Sequence, residues 1–421
     1  MGIKRIDINE FNEHNIAPYN ATSIGVYDND NNYIGKVKLN SLKRDFSNRL
    51  YGVGLLSDTH YNDYDNYYNP DIIAVDDGSE YEGDFVNALE LYKNNEDIDF
   101  ICVAGDITSD KIENVINFNS KREKHCPNTY IYSCVGNHDN AAIYNNDNIE
   151  ESINIWNSYV SNFNDNLEKH YDIYDKTSFY FIKTLPSGNK DVYIFLNICF
   201  GNIGTNASGN DTDGEPDDPH RSHQYYHPQT LNWFKNVLET HKHDRCFVFT
   251  HLFFKQKAGN NNNSGNKFQY AARDKNYYLN GEQFLFLNDL NNKYKNSIWF
   301  TGHSHYCWEW QKYDKDINIS NHDYDYTNKS LYGGITIRKK LDVCAYNVHL
   351  PSLARPLKIS TGYSVDMKRS EGAIMDVYED YVDIRGIVFK TSNETNYSNK
   401  YCPLAIYRIP IGGNNIKRID D

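Results

Sequence analysis

The sequence predicts an α/β fold built on one large domain, and three observations support this. The chain has 421 residues, of which 39% are hydrophobic and 24% charged, so it can bury a sizeable core. From residue 50 onwards, short apolar runs of strand type alternate with segments of helical spacing. Several of these runs end in a polar residue, at the place where α/β sheets carry their ligand sites.

The first 45 residues form a separate segment in this interpretation. Residues 21–28 and 32–39 alternate between apolar and polar side chains, and the Asp and Asn residues between them favour a turn. We therefore expect a small β-hairpin over residues 1–45. An isolated hairpin is marginally stable in water, so it must pack on the main domain or on a partner protein.

The main domain is expected over residues 46–395, and its first half alternates strands with helices. The predicted strands in this half are residues 51–57, 99–104, 129–135, 179–184 and 192–198. The predicted helices are residues 84–92, 110–124 and 149–163.

The second half follows a loop rich in Gly, Asn and Asp, residues 201–219. Pro228 begins a predicted helix that runs to residue 240, because proline suits the first helical position. Another helix is predicted over residues 282–294. The predicted strands are 245–250, 297–301, 345–350, 373–378, 382–389 and 404–409, the last within a C-terminal strand and tail of residues 396–421.

Five predicted strands end in residues that can bind a metal ion. Their motifs, in chain order, are Asp-Thr-His, Gly-Asp, Gly-Asn-His-Asp, a single His and Gly-His-Ser-His. The candidate ligands are Asp58, His60, Asp106, Asn137, His251, His303 and His305. Because ligands of open α/β sheets bind beyond the carboxyl ends of strands, we expect these side chains to converge. Such a set is too large for one ion and suits two ions that share a carboxylate, an arrangement used for attack at phosphorus.

The donor atoms also restrict the metal. Carboxylate, amide and imidazole ligands in this mixture suit Mn, Fe, Zn or Ni, and Mn is favoured here. Asp-x-His alone has little meaning, since residues 218–220 also match it, but the five motifs together in this order do not arise by chance.

These motifs resemble the signature of the calcineurin-like metallophosphoesterase superfamily, and every signature position is filled between residues 50 and 390. The resemblance implies a four-layer αββα sandwich with a di-metal site at the strand ends. It implies that Asp106 bridges two divalent ions. The first ion is also assigned to Asp58, His60 and His305, and the second to Asn137, His251 and His303.

The same resemblance gives His138 a catalytic role rather than a metal. His138 would face the substrate, contacting the phosphate or protonating the leaving oxygen, while a hydroxide between the ions attacks phosphorus in line. Such a histidine needs a partner that sets its pKa and tautomer. Asp139 and Asp110 are both candidates.

This sequence differs from two other branches of the superfamily, and the differences favour a phosphodiesterase. The Gly-Asp motif continues as Ile-Thr-Ser-Asp, without the Asp-Arg-Gly of protein Ser/Thr phosphatases. Ser109 stands where purple acid phosphatases place a metal-binding tyrosine. Asp139 and the Gly-His-x-His ending resemble more closely the branch that contains cyclic-nucleotide and other phosphodiesterases. We therefore predict diesterase activity and leave monoesterase activity open.

Two segments in the last quarter of the sequence favour an alternative function. Residues 349–353 and 379–386 resemble bacterial and phage-encoded members of the superfamily. This favours, as the alternative, a phage virion component that retains a metal-bound phosphoesterase domain. Residues 1–45 are the candidate docking element for such an assembly.

Charge and composition limit the partners. The chain carries 43 Lys and Arg against 57 Asp and Glu, a net charge of −14, which disfavours an extended nucleic-acid duplex. A small phosphoester substrate remains suitable, because metal ions supply positive charge locally. We find no apolar run near the roughly 18 residues of a membrane span and no signal peptide, so we expect the cytoplasm, or the virion if phage-encoded.

Overall fold

The computed structural model describes most of the predicted main domain and parts of both terminal segments. The described residues are 23–27, 33–38, 48–61, 80–93, 98–108, 111–144, 146–160, 167–198, 226–252, 281–303, 305, 337–338, 345–354, 357–358, 364–365, 370–390, 402–410 and 417–418.

Helices and strands alternate along the first two thirds of the chain, and strands follow. The strands are β1 (Ser23–Tyr27), β2 (Tyr33–Lys38), β3 (Tyr51–Leu56), β4 (Phe100–Val103), β5 (Tyr130–Ser133), β6 (Glu168–Tyr171), β7 (Phe179–Thr184), β8 (Lys190–Leu196), β9 (Arg245–Thr250), β10 (Ser297–Thr301), β11 (Ile337–Arg338), β12 (Tyr346–His349), β13 (Leu357–Lys358), β14 (Ser364–Val365), β15 (Ser370–Val377), β16 (Tyr381–Lys390), β17 (Cys402–Pro410) and β18 (Lys417–Arg418). The helices are α1 (Glu80–Leu91), α2 (Glu113–His125), α3 (Asn137–Tyr144), α4 (Ile149–Val160), α5 (Pro228–Thr240) and α6 (Gly281–Lys293).

Two mixed seven-stranded sheets form the body of the protein. The first has the order β18-β17-β16-β15-β3-β4-β5, in which β3, β4 and β5 are parallel. The second has the order β11-β12-β10-β9-β8-β7-β6, in which β12, β10, β9 and β8 are parallel. Strands β1 and β2 pair antiparallel, which confirms the predicted hairpin.

Three apolar clusters hold the layers together. Between the sheets, side chains such as Leu55 of β3, Phe249 of β9 and Met375 of β15 are buried in one cluster. Helices α1, α2 and α4 pack on the outer face of the first sheet, and α5 and α6 on the outer face of the second. The order helices, sheet, sheet, helices confirms the four-layer αββα sandwich. Buried apolar area of this extent is the main favourable term in folding.

Most predicted elements are present, several with the predicted bounds. β7, β9, β10 and α5 begin and end at the predicted residues. Helix α3 was not predicted, because its sequence begins with the polar residues of the Gly-Asn-His-Asp motif. Strand β17, predicted in the C-terminal segment, pairs with β16 and so extends the first sheet. The domain boundaries at residues 46, 395 and 396 remain predictions.

Within the described residues, no helix has the length and apolar character needed to cross a bilayer. The described cysteines that carry a free thiol, Cys102, Cys126, Cys134 and Cys246, are all buried.

Candidate metal centre

The carboxyl ends of five parallel strands meet at one edge of the sandwich. Strands β3, β4 and β5 reach this edge in the first sheet, and β9 and β10 reach it in the second. A predicted ligand follows each strand within four residues, because the buried apolar strand ends where the chain turns into a polar loop. The site therefore lies at the junction of the two sheets.

The predicted ligands are brought together in two overlapping groups. Ligand atoms of Asp58, His60, Asp106 and His305 lie within 4.8 Å of one another, and so do those of Asp106, His251 and His303. The Asn137 side-chain oxygen joins the second group, 2.9 Å from His303 Nδ1 and 3.0 Å from His251 Nε2. Asp106 belongs to both groups, as a bridging carboxylate requires. Metal binding itself stays a prediction.

The spacing of the donor atoms fits divalent ions. Nε2 of His60 is 3.1 Å from Nε2 of His305, and Nε2 of His251 is 3.2 Å from Nδ1 of His303. Two nitrogen atoms that bind one ion at about 2.1 Å lie roughly 3 Å from each other. Each pair of imidazoles therefore has the separation expected of ligands to one ion.

Both aspartates have one oxygen held by a neighbour and another facing the histidines. Asp58 Oδ2 accepts a hydrogen bond of 2.5 Å from the Ser57 hydroxyl, while Oδ1 is 3.1 Å from His305 Nε2. Asp106 Oδ1 accepts from the His138 main-chain N–H at 2.9 Å, while Oδ2 is 3.1 Å from His251 Nε2. Contacts of this kind orient a ligand before the ion binds.

His251 is oriented in the same way. Its Nδ1 lies 2.8 Å from the carbonyl oxygen of Ala104, so Nδ1–H donates there and Nε2 faces the site. Burial alone would lower the pKa of His251, but the Asp106 and Asp58 carboxylates outweigh it and raise the pKa to about 9. In the absence of an ion, a proton on His251 therefore partly offsets the buried carboxylates, and a divalent cation would take its place.

Burial and neighbouring charges also set the pKa values of His303 and Asp58. Burial lowers the pKa of His303 to about 3, which leaves its ring neutral and able to bind a metal. Burial would raise the pKa of Asp58, but His305 and His251 outweigh it and hold that pKa well below its usual range. The carboxylate thus stays ionised, the form that binds a cation.

The ligand loops adopt a backbone conformation that L-residues rarely occupy. Among the described residues, six other than glycine have φ in the left-handed region, and five of them are predicted ligands. These five are Asp58, His60, Asp106, His303 and His305, with φ between 42° and 77°. Such residues cost free energy and persist only where the surrounding structure holds them, which is common at functional sites.

Close approach of these loops explains two motif glycines. A Cβ at Gly136 would lie 2.1 Å from Asp106 Oδ1, and one at Gly302 would lie 1.9 Å from the Ser57 hydroxyl oxygen. Both distances are far below van der Waals contact, so only glycine lets the loops pack this closely. The motifs thus contain the ligands together with the glycines that leave room for the ligand loops to pack.

His138 lies beside the first group of ligands. Its half-buried ring makes an edge-to-face contact with His60, with the ring centroids 4.9 Å apart. This places the imidazole next to the candidate ions while part of it remains accessible.

Asp139 supports the main chain of the site. Its Oδ2 accepts from the Gly136 N–H and its Oδ1 from the Thr108 N–H, both at 2.9 Å. Burial, together with the charge of Asp106, raises the pKa of Asp139 to about 7. Both oxygens of this predicted partner are thus engaged by the backbone rather than by His138. The other predicted partner, Asp110, lies outside the described residues.

Sequence reasoning missed the residues that support the ligands from a distance. Ser352 donates to the Asp58 carbonyl oxygen, and His349 at the end of β12 lies 3.1 Å from the Thr301 hydroxyl. His349 is fully buried, and burial lowers its pKa to about 3, so its ring is neutral. Both residues lie in the segment 349–353, which was singled out from the sequence for its resemblance to other members of the superfamily without being assigned to the site.

Comparison with known proteins gives a family and several distant structures. The sequence model of the family described as calcineurin-like phosphoesterase matches residues 52–307, which is more than half of the chain. No curated protein sequence matches the chain significantly.

The similar solved structures share little sequence with the chain. A dimetal phosphatase from Danio rerio is 12% identical, covers 83% of this chain and 100% of its own, and has a TM-score of 0.42. Vps29 from Cryptosporidium parvum is 10% identical, with 86% and 98% covered and a TM-score of 0.29. A Vps29 single mutant from Entamoeba histolytica is 7% identical, with 85% and 98% covered and a TM-score of 0.27. All three TM-scores lie below 0.5, so no function follows from them.

Proposed function

The chain belongs to the calcineurin-like phosphoesterase family of phosphoester hydrolases, and on that premise we propose that it is a di-metal phosphodiesterase. The observation that carries this proposal is the position of Asp106, whose carboxylate belongs to both groups of candidate ligands. A carboxylate shared in this way sets two ions side by side, the arrangement used for in-line displacement at phosphorus.

The proposed ions would each be held by one group of residues. Asp58, His60 and His305 would bind one ion, Asn137, His251 and His303 the other, and Asp106 both. When bound, two divalent ions lower the pKa of a water molecule and offset charge on the phosphoryl oxygens. We favour Mn²⁺, which accepts this mixture of oxygen and nitrogen donors.

His138 would act on the substrate. The departing alkoxide needs a proton, and a histidine at the edge of the site is a suitable donor because an unperturbed imidazole exchanges protons near neutral pH. The ring contacts His60 and is only half-buried, so a bound phosphoester could reach it. The main-chain N–H of His138 is bonded to Asp106 Oδ1, which fixes the position of this residue relative to the proposed bridge.

The proposed preference for a diester rests on the negative charge of the substrate. A phosphate monoester carries more negative charge than a diester and is commonly bound by the fork of an arginine side chain. The Gly-Asp motif here continues without the arginine of protein Ser/Thr phosphatases. This departure supports a diester as substrate.

Hydrolysis of bis-p-nitrophenyl phosphate and p-nitrophenyl phosphate by Mn²⁺-reloaded protein tests the proposal. We expect the protein with two bound ions to cleave the diester with the larger kcat/KM. Faster cleavage of the monoester would contradict the diesterase assignment. Two firmly bound ions without turnover of either ester would instead support the alternative role, a virion component that docks through residues 1–45.

A further inference from the structure

We propose that Ser57 and Ser352 are positioning residues that fix Asp58 as a ligand to one of the two metal ions. The inference rests on the metal centre of the proposed function. It concerns how the protein holds one ligand whose backbone is in the left-handed region, with φ of 49°. The two serines approach Asp58 from opposite sides, one at its carboxylate and one at its carbonyl oxygen.

Residues 350–354, which we call the strap, connect the two sheets at the site edge. The strap leaves the end of β12 in the second sheet, where the Leu350 N–H donates to Thr301 of β10 at 2.7 Å. It then reaches the end of β3 in the first sheet, where the Leu353 N–H donates to the Ser57 carbonyl oxygen at 2.9 Å. Every residue of the strap is buried.

Ser352 holds the main chain of Asp58. Its hydroxyl donates to the Asp58 carbonyl oxygen at 2.9 Å, and the Ala354 N–H donates to the same oxygen at 3.4 Å. On the other side, the Asp58 N–H donates to the Gly105 carbonyl oxygen at 3.0 Å. Both peptide groups of Asp58 are therefore restrained, which is the condition under which a left-handed residue persists.

Ser57 holds the carboxylate. Its hydroxyl lies 2.5 Å from Asp58 Oδ2 and 3.3 Å from the Ala104 carbonyl oxygen, and its single proton favours the charged, nearer acceptor. The His303 N–H is shared by both carboxylate oxygens, 3.0 Å from Oδ2 and 3.1 Å from Oδ1. Because the Ser57 hydroxyl contacts Oδ2 alone, it fixes the carboxylate with Oδ1 3.1 Å from His305 Nε2, where the first ion would bind.

Titration of the protein with Mn²⁺ tests this inference without substrate. The EPR signal of the free ion measures how much Mn²⁺ remains unbound. The variants are Ser57→Ala and Ser352→Ala, with Ser352→Cys as a volume-matched weak donor in case Ser352→Ala does not fold. We expect one of the two ions to bind about tenfold more weakly, since residues that orient ligands typically contribute 10- to 100-fold in affinity. The other ion, held by Asn137, His251 and His303, should bind as before.

Ser297→Ala is the matched control. Ser297 is also fully buried and also donates to a backbone carbonyl oxygen, that of Tyr294 at 2.6 Å, but it lies at the opposite end of β10. It accepts a hydrogen bond from Trp299 Nε1 as well, so its loss should reduce stability at least as much. We expect Ser297→Ala to lower Tm while both ions bind with unchanged affinity.

The outcomes separate this inference from the proposed function. Selective weakening of one ion in the Ser57 and Ser352 variants supports it. Unchanged binding, equal weakening of both ions, or the same loss in Ser297→Ala would overturn it. If the unmutated protein binds two ions and hydrolyses no phosphoester, the proposed function fails and the titration still decides the positioning role. Absence of any Mn²⁺ binding would overturn both.

Discussion

The two edges of the sandwich both bury charged groups between the sheets, but they balance these charges differently. At the edge opposite the metal centre, the Arg245 guanidinium binds Asp191 through two hydrogen bonds, of 2.5 and 2.7 Å. Tyr51 also contacts Asp191, its hydroxyl lies 2.8 Å from that of Tyr193, and Arg245 Nη1 donates to the Tyr378 carbonyl oxygen. Donors and acceptors there are matched within the protein.

At the site edge, the neighbouring groups are mostly acceptors. The carboxylates of Asp58 and Asp106, the Asn137 oxygen and several imidazole nitrogens lie about as close as hydrogen-bonded pairs, and a proton on His251 offsets the carboxylate charge only in part. Five of these residues also have a left-handed backbone. One edge is therefore neutralised within the protein, whereas the proposed cations would complete the other. Burial of a charged group indicates a function only where the protein does not supply its counter-charge.

The largest expected effect comes from Asp106→Asn, which removes the shared charge of the site. We expect kcat/KM for a phosphodiester to fall by about 10⁴-fold, roughly 5 kcal/mol of transition-state stabilisation, because both proposed ions lose a ligand. Steady-state kinetics and metal analysis would measure this. In the control Asp191→Asn, at the other edge, two ions should remain bound and the folded protein should stay active. Loss of activity in both variants alike would remove the contrast between the edges.

The converse change is Arg245→Met, which leaves Asp191 buried without its partner. We expect the free energy of unfolding to fall by about 3–5 kcal/mol, the typical cost of breaking a buried ion pair from one side. Denaturant titration would measure it, with Mn²⁺ affinity as the internal control. A variant that retains full stability, or one that loses its ions, would show that this edge is not the self-contained structural network described above.

A smaller effect is expected from His138→Ala, and it distinguishes the two roles left open for this residue. If His138 donates a proton, kcat should fall by about 10²- to 10⁴-fold with a poor leaving group such as an alkoxide. The loss should be much smaller with p-nitrophenolate, which leaves without help. Equal losses with both leaving groups would instead assign His138 to contact with the phosphate. Metal analysis should find two ions in either case.

The smallest effect concerns stability upon metal removal. An ion present at 100 times its Kd stabilises the folded state by about 2.7 kcal/mol, so chelation should lower Tm by roughly 3–8 °C. Differential scanning calorimetry with and without EDTA measures this. Arg245→Met should show the same metal-dependent difference from a lower starting Tm, and Asp106→Asn should show little. A Tm that does not depend on metal in the unmutated protein would contradict the view that cations complete this edge.

The sequence predicted those features that depend on neighbouring residues. The strand bounds of β9 and β10 follow from apolar runs that end at a histidine or at Gly302, and the candidate ligands follow from short motifs. What could not be predicted depends on distant contacts. Ser352 is 294 residues from Asp58, and no local pattern links them. The left-handed φ of Asp58 likewise depends on surrounding hydrogen bonds rather than on its own sequence.

Two further differences have the same origin. Asp139 was one of two candidate partners of His138, but its carboxylate is bonded to main-chain N–H groups of Gly136 and Thr108, which come from two different strand ends. Helix α3 begins within a metal motif, where polar residues conceal helical periodicity. In both cases, residues that the motif suggested for catalysis or metal binding also have a structural role in the fold.

The strap lies far from Asp58 along the sequence, and this separation determines when their hydrogen bonds can form during synthesis on the ribosome. The Asp58 carboxylate accepts from the N–H of a residue 245 positions later, and its carbonyl oxygen accepts from a hydroxyl 294 positions later. At about 5–20 residues per second, roughly 15–60 s of translation separate Asp58 from Ser352. The hydrogen bonds by which the strap holds Asp58 can therefore form only after the strap has been synthesised. A chain that stops before residue 251 contains Asp58, His60, Asp106 and Asn137 but none of the later predicted ligands.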